Sequence, residues 1–177
     1  MRACVVVGNP KLGSRTAAAG TTVAAAVLES LESLDVDVDV GLGVSVIELA
    51  ELGSSLFSWG DPGIAAAKST VLGSDLIVFA SPVYKASYTG LLKAFLDQFG
   101  RDELAARAVV PLMVGASPAH SLAVETQLRP VLVEIGASCP TRGLYLLESQ
   151  IEDLAPIIDD WLALWGGALR AVVSAAS

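Results

Sequence analysis

Cysteine is nearly absent from this chain of 177 residues, and histidine more so: Cys4, Cys139 and His120 are all there is of either. Two cysteines without metal-ligand spacing exclude a disulfide framework and a zinc site. Both are expected inside strands, as buried free thiols in a reducing compartment. One histidine leaves no Ser-His-Asp arrangement to build a nucleophile on. Positive charge is scarce as well. Eleven Lys and Arg stand against 19 Asp and Glu, a net charge of −8 that argues against nucleic acid and anionic membrane surfaces as partners. The longest stretch without charge, Ala108 to Val124, is broken by Pro111, Gly115, Ser117, Pro118 and His120, so no segment is expected to cross a membrane. The N-terminus passes straight into the apolar run Ala3 to Val7 without a leader pattern. A cytoplasmic enzyme is the expectation.

What the chain does have is apolar surface to bury. Hydrophobic residues make up 53%, charged ones 17%, and the length suits one domain over residues 1–177. Strand and helix signals alternate from end to end. Strands are expected at Ala3 to Val7, Val44 to Leu49, Asp75 to Ala80, Ala108 to Gly115 and Ser138 to Leu147. Val36 to Val40 alternates strictly and reads as an extension or bulge of the second strand, divided by Gly41 and Gly43. Helices are expected from about Arg15, at Ile64 to Leu72, from Thr89 to Phe99, through Val124 to Ile135 with Pro130 kinking or restarting it, and from Glu152 to about Val173. Gly53 to Gly63 reads as a surface excursion anchored by Leu56, Phe57 and Trp59. Five βα units with short turns imply an α/β fold: a doubly wound, five-stranded parallel sheet with helices on both faces.

Two turns carry the chemistry. Gly8-Asn9-Pro10-Lys11-Leu12-Gly13-Ser14-Arg15-Thr16 is neither G-x-G-x-x-G nor a Walker A loop. That mismatch demotes a dinucleotide-binding fold, and Glu48, standing where such a fold would place a ribose-binding acid, keeps it from being excluded. Ser14, Arg15 and Thr16 at a helix start offer hydroxyls, a guanidinium and backbone N–H groups to a phosphate monoester. Ser14 or Thr16 as a plain N-cap is the alternative. The second turn, Ser81-Pro82-Val83-Tyr84-Lys85-Ala86-Ser87-Tyr88-Thr89-Gly90, follows an apolar strand and suits a flat conjugated ring. In a sheet of order 2-1-3-4-5 both turns, with the Gly115–His120 turn, line one crevice at the switch point. Phosphate at one end and a Pro–Val–Tyr platform at the other describe a flavin mononucleotide.

Those two stretches, the second extended from Ala80 to Lys93, resemble the signatures of the NAD(P)H-dependent FMN reductase family, which is flavodoxin-like. Ala119-His120-Ser121-Leu122-Ala123-Val124 and Leu128-Arg129-Pro130-Val131-Leu132 are most similar to the flavin reductases that supply sulfonate monooxygenases. The resemblance implies hydride transfer from NADH or NADPH to FMN, a homodimer or homotetramer, and a flavin-dependent monooxygenase as a partner. It implies that Lys11, Ser14, Arg15 and Thr16 hold the phosphate, and that Pro82, Val83, Tyr84 and Lys85 meet the ring edge and ribityl chain. Gly115, Ala116 and Ser117 would approach the pyrimidine edge, with His120 beside them. Tyr84 also reads as a wedge between helices, Lys85 as a solvated charge and His120 as structural. No residue is assigned as catalytic acid or base, and none as a metal ligand. In the sulfonate group an inserted Tyr distorts the helix after the Ala-His motif; here Thr126 stands in its place. Loss of that Tyr is associated in the family with resident FMN, which keeps a quinone or azo-compound reductase as the alternative, beside a flavodoxin-like electron carrier.

Overall fold

The computed structural model describes residues 1–32 and 43–176, so the reading of Val36 to Gly41 lies outside the described residues. Strands β1 (Arg2–Val7), β2 (Gly43–Glu48), β3 (Leu76–Pro82), β4 (Ala108–Gly115) and β5 (Leu144–Leu147) form one parallel sheet in the order β2-β1-β3-β4-β5. The 2-1-3-4-5 order is the one expected. β3 and β4 are buried along their whole length, as runs such as Leu76-Ile77-Val78-Phe79 require when both faces are covered. Helices α1 (Arg15–Glu32) and α6 (Ala155–Ala176) cover one face, where Val5, Val78 and Val110 meet Val27, Leu28, Ile158 and Trp161. The other face takes α2 (Leu49–Leu52), α3 (Pro62–Leu72), α4 (Gly90–Leu96) and α5 (Arg129–Glu134). There Val6, Phe79 and Met113 meet Val71, Leu92, Phe95 and Leu132. Helices α3 and α1 are capped at their starts by their own side chains. The Asp61 carboxylate accepts from Gly63 N and Ile64 N ahead of Pro62, and Ser14 Oγ accepts from Ala17 N at 3.2 Å.

Strand β5 is shorter than the expected Ser138 to Leu147, and a proline in its neighbour explains why. Val109 N–H donates to the Ser138 carbonyl at 2.8 Å, so that side of β4 faces the incoming chain. Two residues on, the next donor on the same side would be Pro111, which has none. The ladder lapses after the single Ala108–Ser138 bridge and resumes at Leu112 opposite Leu144. Cys139 falls in that gap rather than in a strand, while Cys4 lies within β1. Burial pushes the Cys4 thiol up to about 12 and Cys139 to about 11, so both stay protonated at neutral pH.

The excursion after β2 is anchored by Leu56 alone. Gly53–Phe57 is a 3-10 turn whose successive residues point to different faces, leaving Phe57 and Trp59 each 76% exposed. Phe99 is buried but lies beyond the end of α4, edge-on to Phe95, and α6 begins at Ala155 rather than Glu152.

The helix before α5 is distorted with Thr126 in its midst. Val124–Leu128 is a π turn in which Arg129 N–H reaches back five residues to the Val124 carbonyl. Pro130 supplies no N–H for the Thr126 carbonyl, which opens the α ladder at that point. Arg129 then fixes the wide turn from outside. Its guanidinium donates to Glu125 and to the carbonyls of Cys139 (2.8 Å) and Thr141, while Gly143 N–H donates to Glu125 Oε1 at 2.7 Å. The distortion therefore does not depend on a Tyr at this position.

Candidate functional site

The sheet order reverses between β1 and β3, so the connections leaving their carboxyl ends diverge to opposite faces and leave a crevice. The two connections are pinned together at its floor. Gly8 N–H donates to the Ala80 carbonyl at 2.8 Å, and Thr89 Oγ1 donates to the Gly8 carbonyl at 2.5 Å. The same hydroxyl accepts Leu92 N–H at 3.1 Å as the N-cap of α4. Gly8 is glycine because α4 presses on it: a Cβ there would lie 2.6 Å from Leu92 Cβ.

Above that floor the first loop is arranged by its own side chains. Asn9 is buried; its Nδ2 donates to Thr16 Oγ1 at 3.1 Å and its Oδ1 accepts Lys11 N–H at 2.9 Å, an Asx turn. Gly13 adopts a left-handed φ of +58° and gives its N–H to both carboxylate oxygens of Glu48, at 3.0 and 3.2 Å. The acid that a dinucleotide fold would turn toward a ribose is here spent on the loop. Arg15, in the first turn of α1, pairs with Glu148 from the far side of the sheet at 2.9 Å. A cation at the positive end of a helix needs an anion nearby, and Glu148 is one. Arg15 in the first turn thus has an internal explanation as well as a ligand-binding one.

The second loop is bent by its backbone. Val83 N–H continues the ladder to the Val114 carbonyl at 2.8 Å, and Tyr84 and Ser87 exchange hydrogen bonds of 2.9 and 3.1 Å. Lys85 and Ala86 between them have φ of +52° and +63°, a type I′ geometry that normally selects Asn and Gly. Ser81 braces the bend by accepting Thr89 N–H at 3.1 Å and donating to the Pro82 carbonyl at 2.9 Å. Burial raises the Tyr88 hydroxyl above its ordinary range, which keeps it neutral. The third loop approaches β5 closely: a Cβ on Gly115 would lie 2.1 Å from Tyr145 Oη, whose hydroxyl donates to the Ser117 carbonyl at 2.5 Å.

Together these elements bound a cleft of about 400 Å³ lined by Asn9, Lys11, Gly13, Ser14, Arg15, Thr16, Pro82, Tyr84, Val114 and Glu148. Of the residues expected at the site, Lys11, Ser14, Arg15, Thr16, Pro82 and Tyr84 meet there. Ala116 lines an adjoining cavity that shares Arg15 and Glu148 with the cleft. Val83, Lys85, Gly115, Ser117 and His120 line neither, and His120 is exposed at the end of the short turn Pro118–His120. Four lining residues were not anticipated. Asn9 and Gly13 carried a turn signal; Val114 and Glu148 carried none, since only the sheet order brings the ends of β4 and β5 to this crevice. Its lining combines Lys11, Arg15 and the start of an 18-residue helix with Pro82, Tyr84 and Val114. That pairing suits a flat ring carrying an anion.

The comparisons agree with that chemistry. The sequence profile of a family described as NADPH-dependent FMN reductase matches residues 1–152. An FMN reductase (NADPH) of Escherichia coli (strain K12) is 30% identical over 153 residues, covering 86% of this chain and 76% of that protein. The NADH-dependent FMN reductase SfnF of Pseudomonas putida is 32% identical over 150 residues, covering 82% and 76%. The crystal structure of an oxidoreductase from Corynebacterium diphtheriae superposes with a TM-score of 0.83 at 28% identity, covering 100% of this chain and 99% of the other.

Proposed function

The chain belongs to the NADPH-dependent FMN reductase family, and from that premise we propose that the cleft at the β1–β3 switch point is where it holds FMN. The protein is an NAD(P)H:FMN oxidoreductase of flavodoxin-like fold. The observation that carries the placement is the coincidence in one cleft of the Ser14–Thr16 helix start, the Lys11 and Arg15 cations and the Pro82–Tyr84 wall. A fit to FMN needs anion-binding groups and an apolar surface, and the cleft lining has both. Ser14, Thr16, Arg15 and Lys11 would take the phosphate; Pro82, Val83, Tyr84 and Lys85 would take the ring edge and ribityl chain. Gly115, Ala116, Ser117 and His120 would border the far edge. FMN when bound supplies a ring that accepts a hydride from reduced nicotinamide, so the protein need supply no acid or base. Its own part is to hold the anion on fixed donors, to keep Tyr84 and Pro82 against one side of the cleft and to exclude water there. The Asn9 and Glu48 bonds preset the first loop for this, so little ordering remains to be done on binding.

The finer reading is a single FMN-binding domain over residues 1–177 that works in the cytoplasm as a homodimer or homotetramer and hands reduced flavin to a monooxygenase. In support, no helix among the described residues is long and apolar enough to cross a membrane, and Phe57, Trp59 and Leu164 are large apolar side chains left exposed. Mixing purified protein with FMN and either nicotinamide, and following nicotinamide oxidation, tests the reading. Turnover with at least one is expected, and none with both would remove it. A resident-flavin quinone or azo-compound reductase is the second reading, favoured by Thr126 at the position of the family's inserted Tyr. Near-stoichiometric flavin in the protein as purified would select it.

A further inference from the structure

Arg15 is the one cation at the first loop whose partner lies across the cleft. Its Nη1 meets Glu148 Oε2 at 2.9 Å, with the two side chains 67% and 48% exposed, whereas Lys11 joins no ion pair among the described residues. Arg15 and Glu148 are also the two residues common to the cleft and to the adjoining cavity of Ala116, Ser149 and Glu152, so the pair stands on the wall between them. We propose that Glu148 is an internal competitor for the flavin phosphate: its carboxylate holds Nη1 of Arg15, and a bound phosphate draws the guanidinium away from it. The inference rests on the reading of Ser14–Thr16 as the phosphate loop. A carboxylate and a phosphate monoester both accept from the same planar fork, and two anions on one guanidinium, with Glu152 close by, repel each other. Glu148 thereby sets how tightly the phosphate end of FMN is held. An exposed pair is weak, so the effect is a trim of affinity rather than a block.

The test titrates FMN and riboflavin, which lacks the phosphate, by quenching of flavin fluorescence in the intact protein and in Glu148→Gln, Arg15→Ala and the double variant. Glu148→Gln is expected to lower the FMN Kd about two- to fivefold and to leave the riboflavin Kd where it was. In the Arg15→Ala background the same substitution is expected to do nothing, because the guanidinium competed for is gone. A residue that merely braced the loop would weaken both ligands. If Arg15→Ala weakens FMN while Glu148→Gln leaves FMN unchanged or weaker, the competition is overturned and the phosphate loop stands. If Arg15→Ala changes neither ligand and FMN binds no better than riboflavin, the loop assignment falls, and the competition with it.

Discussion

Where β1 passes into α1 the chain is held by polar side chains and charge, and where β3 passes into α4 it is held by close packing and a backbone bend. The first loop owes its shape to Asn9, Glu48 and Glu148, which accept from Lys11 N–H, Gly13 N–H and the Arg15 guanidinium, donors that a ligand would also want. The second owes its shape to Thr89 under Gly8, to Ser81 under the bend, and to two residues in left-handed conformation. A loop fixed by exposed charge can exchange partners when an anion arrives. A loop fixed by a helix pressed on backbone cannot move without opening the core. One side of the cleft is adjustable, and the other is its datum.

The sharpest way to break that contrast is to add one methyl group where α4 presses on the start of the first loop and one on the open part of that same loop. Gly8→Ala puts a Cβ 2.6 Å from Leu92 Cβ, in the body of α4, where nothing flexible can yield. A loss of about 2–3 kcal/mol is expected, with Tm lowered by roughly 5–10 °C in thermal unfolding. Gly13→Ala meets nothing within 4 Å and suffers only from its φ of +58°, so about 1–2 kcal/mol is expected. Equal losses would remove the distinction. Next in size is the pin itself. Thr89→Val deletes both the α4 cap and the bond to Gly8, for about 2 kcal/mol, while Thr89→Ser restores most of it. Ser14→Ala deletes a cap alone and should cost about 1 kcal/mol.

The same contrast marks how far the sequence could be read. Continuous apolar runs located β1, β3 and β4, helical apolar spacing located α1, an Ala-rich stretch located α3, and Gly, Pro and hydroxyl residues located the two loops, because those signals are local. The reading failed where the deciding group lay elsewhere in the chain. β5 begins at Leu144 because of Pro111 in its neighbour, and Leu56 rather than Phe57 or Trp59 turns inward because of the 3-10 turn beneath it. At the site, Ser14 and Thr16 were legible as a helix start. Glu148 was not, since an ion pair 133 residues apart in sequence has no local signature. Gly115 was read as allowing close backbone approach to a ring, and the structure adds a local demand for glycine, since a Cβ there would meet Tyr145.

A second carboxylate clamp sharpens the comparison through pH. Glu125 holds Gly143 N–H as Glu48 holds Gly13 N–H, but in a half-buried setting and with Arg129 beside it. The Arg129 hydrogen bond holds the Glu125 carboxyl below its ordinary value of 4.5. A folded-state value below the unfolded one contributes stability in full above pH 4.5, and that contribution is lost as pH falls through the folded value. Glu125→Gln is therefore expected to lower Tm at pH 7 and to flatten its decline below about pH 4.5. An acid limb as steep in the variant as in the parent would show that the π turn does not depend on this charge. Glu48→Gln, on the exposed loop, should change Tm much less.

The smallest effect expected is a gain. Ala86 sits at a φ of +63° in the bend of the second loop, where an L side chain costs roughly 1–2 kcal/mol relative to glycine. Ala86→Gly removes that cost but gives the unfolded chain more freedom, which takes back about 0.5–1 kcal/mol. The balance is a stabilisation of roughly 0.5 kcal/mol, a Tm raised by about 1–2 °C. Because Ala86 is exposed, no packing is lost with its methyl group to confuse the sign. A lower Tm would mean that the bend is relaxed with alanine in place and that the second loop is not strained. A higher one would show the strain to be real and kept, with Tyr84 at the mouth of the cleft as the residue it positions.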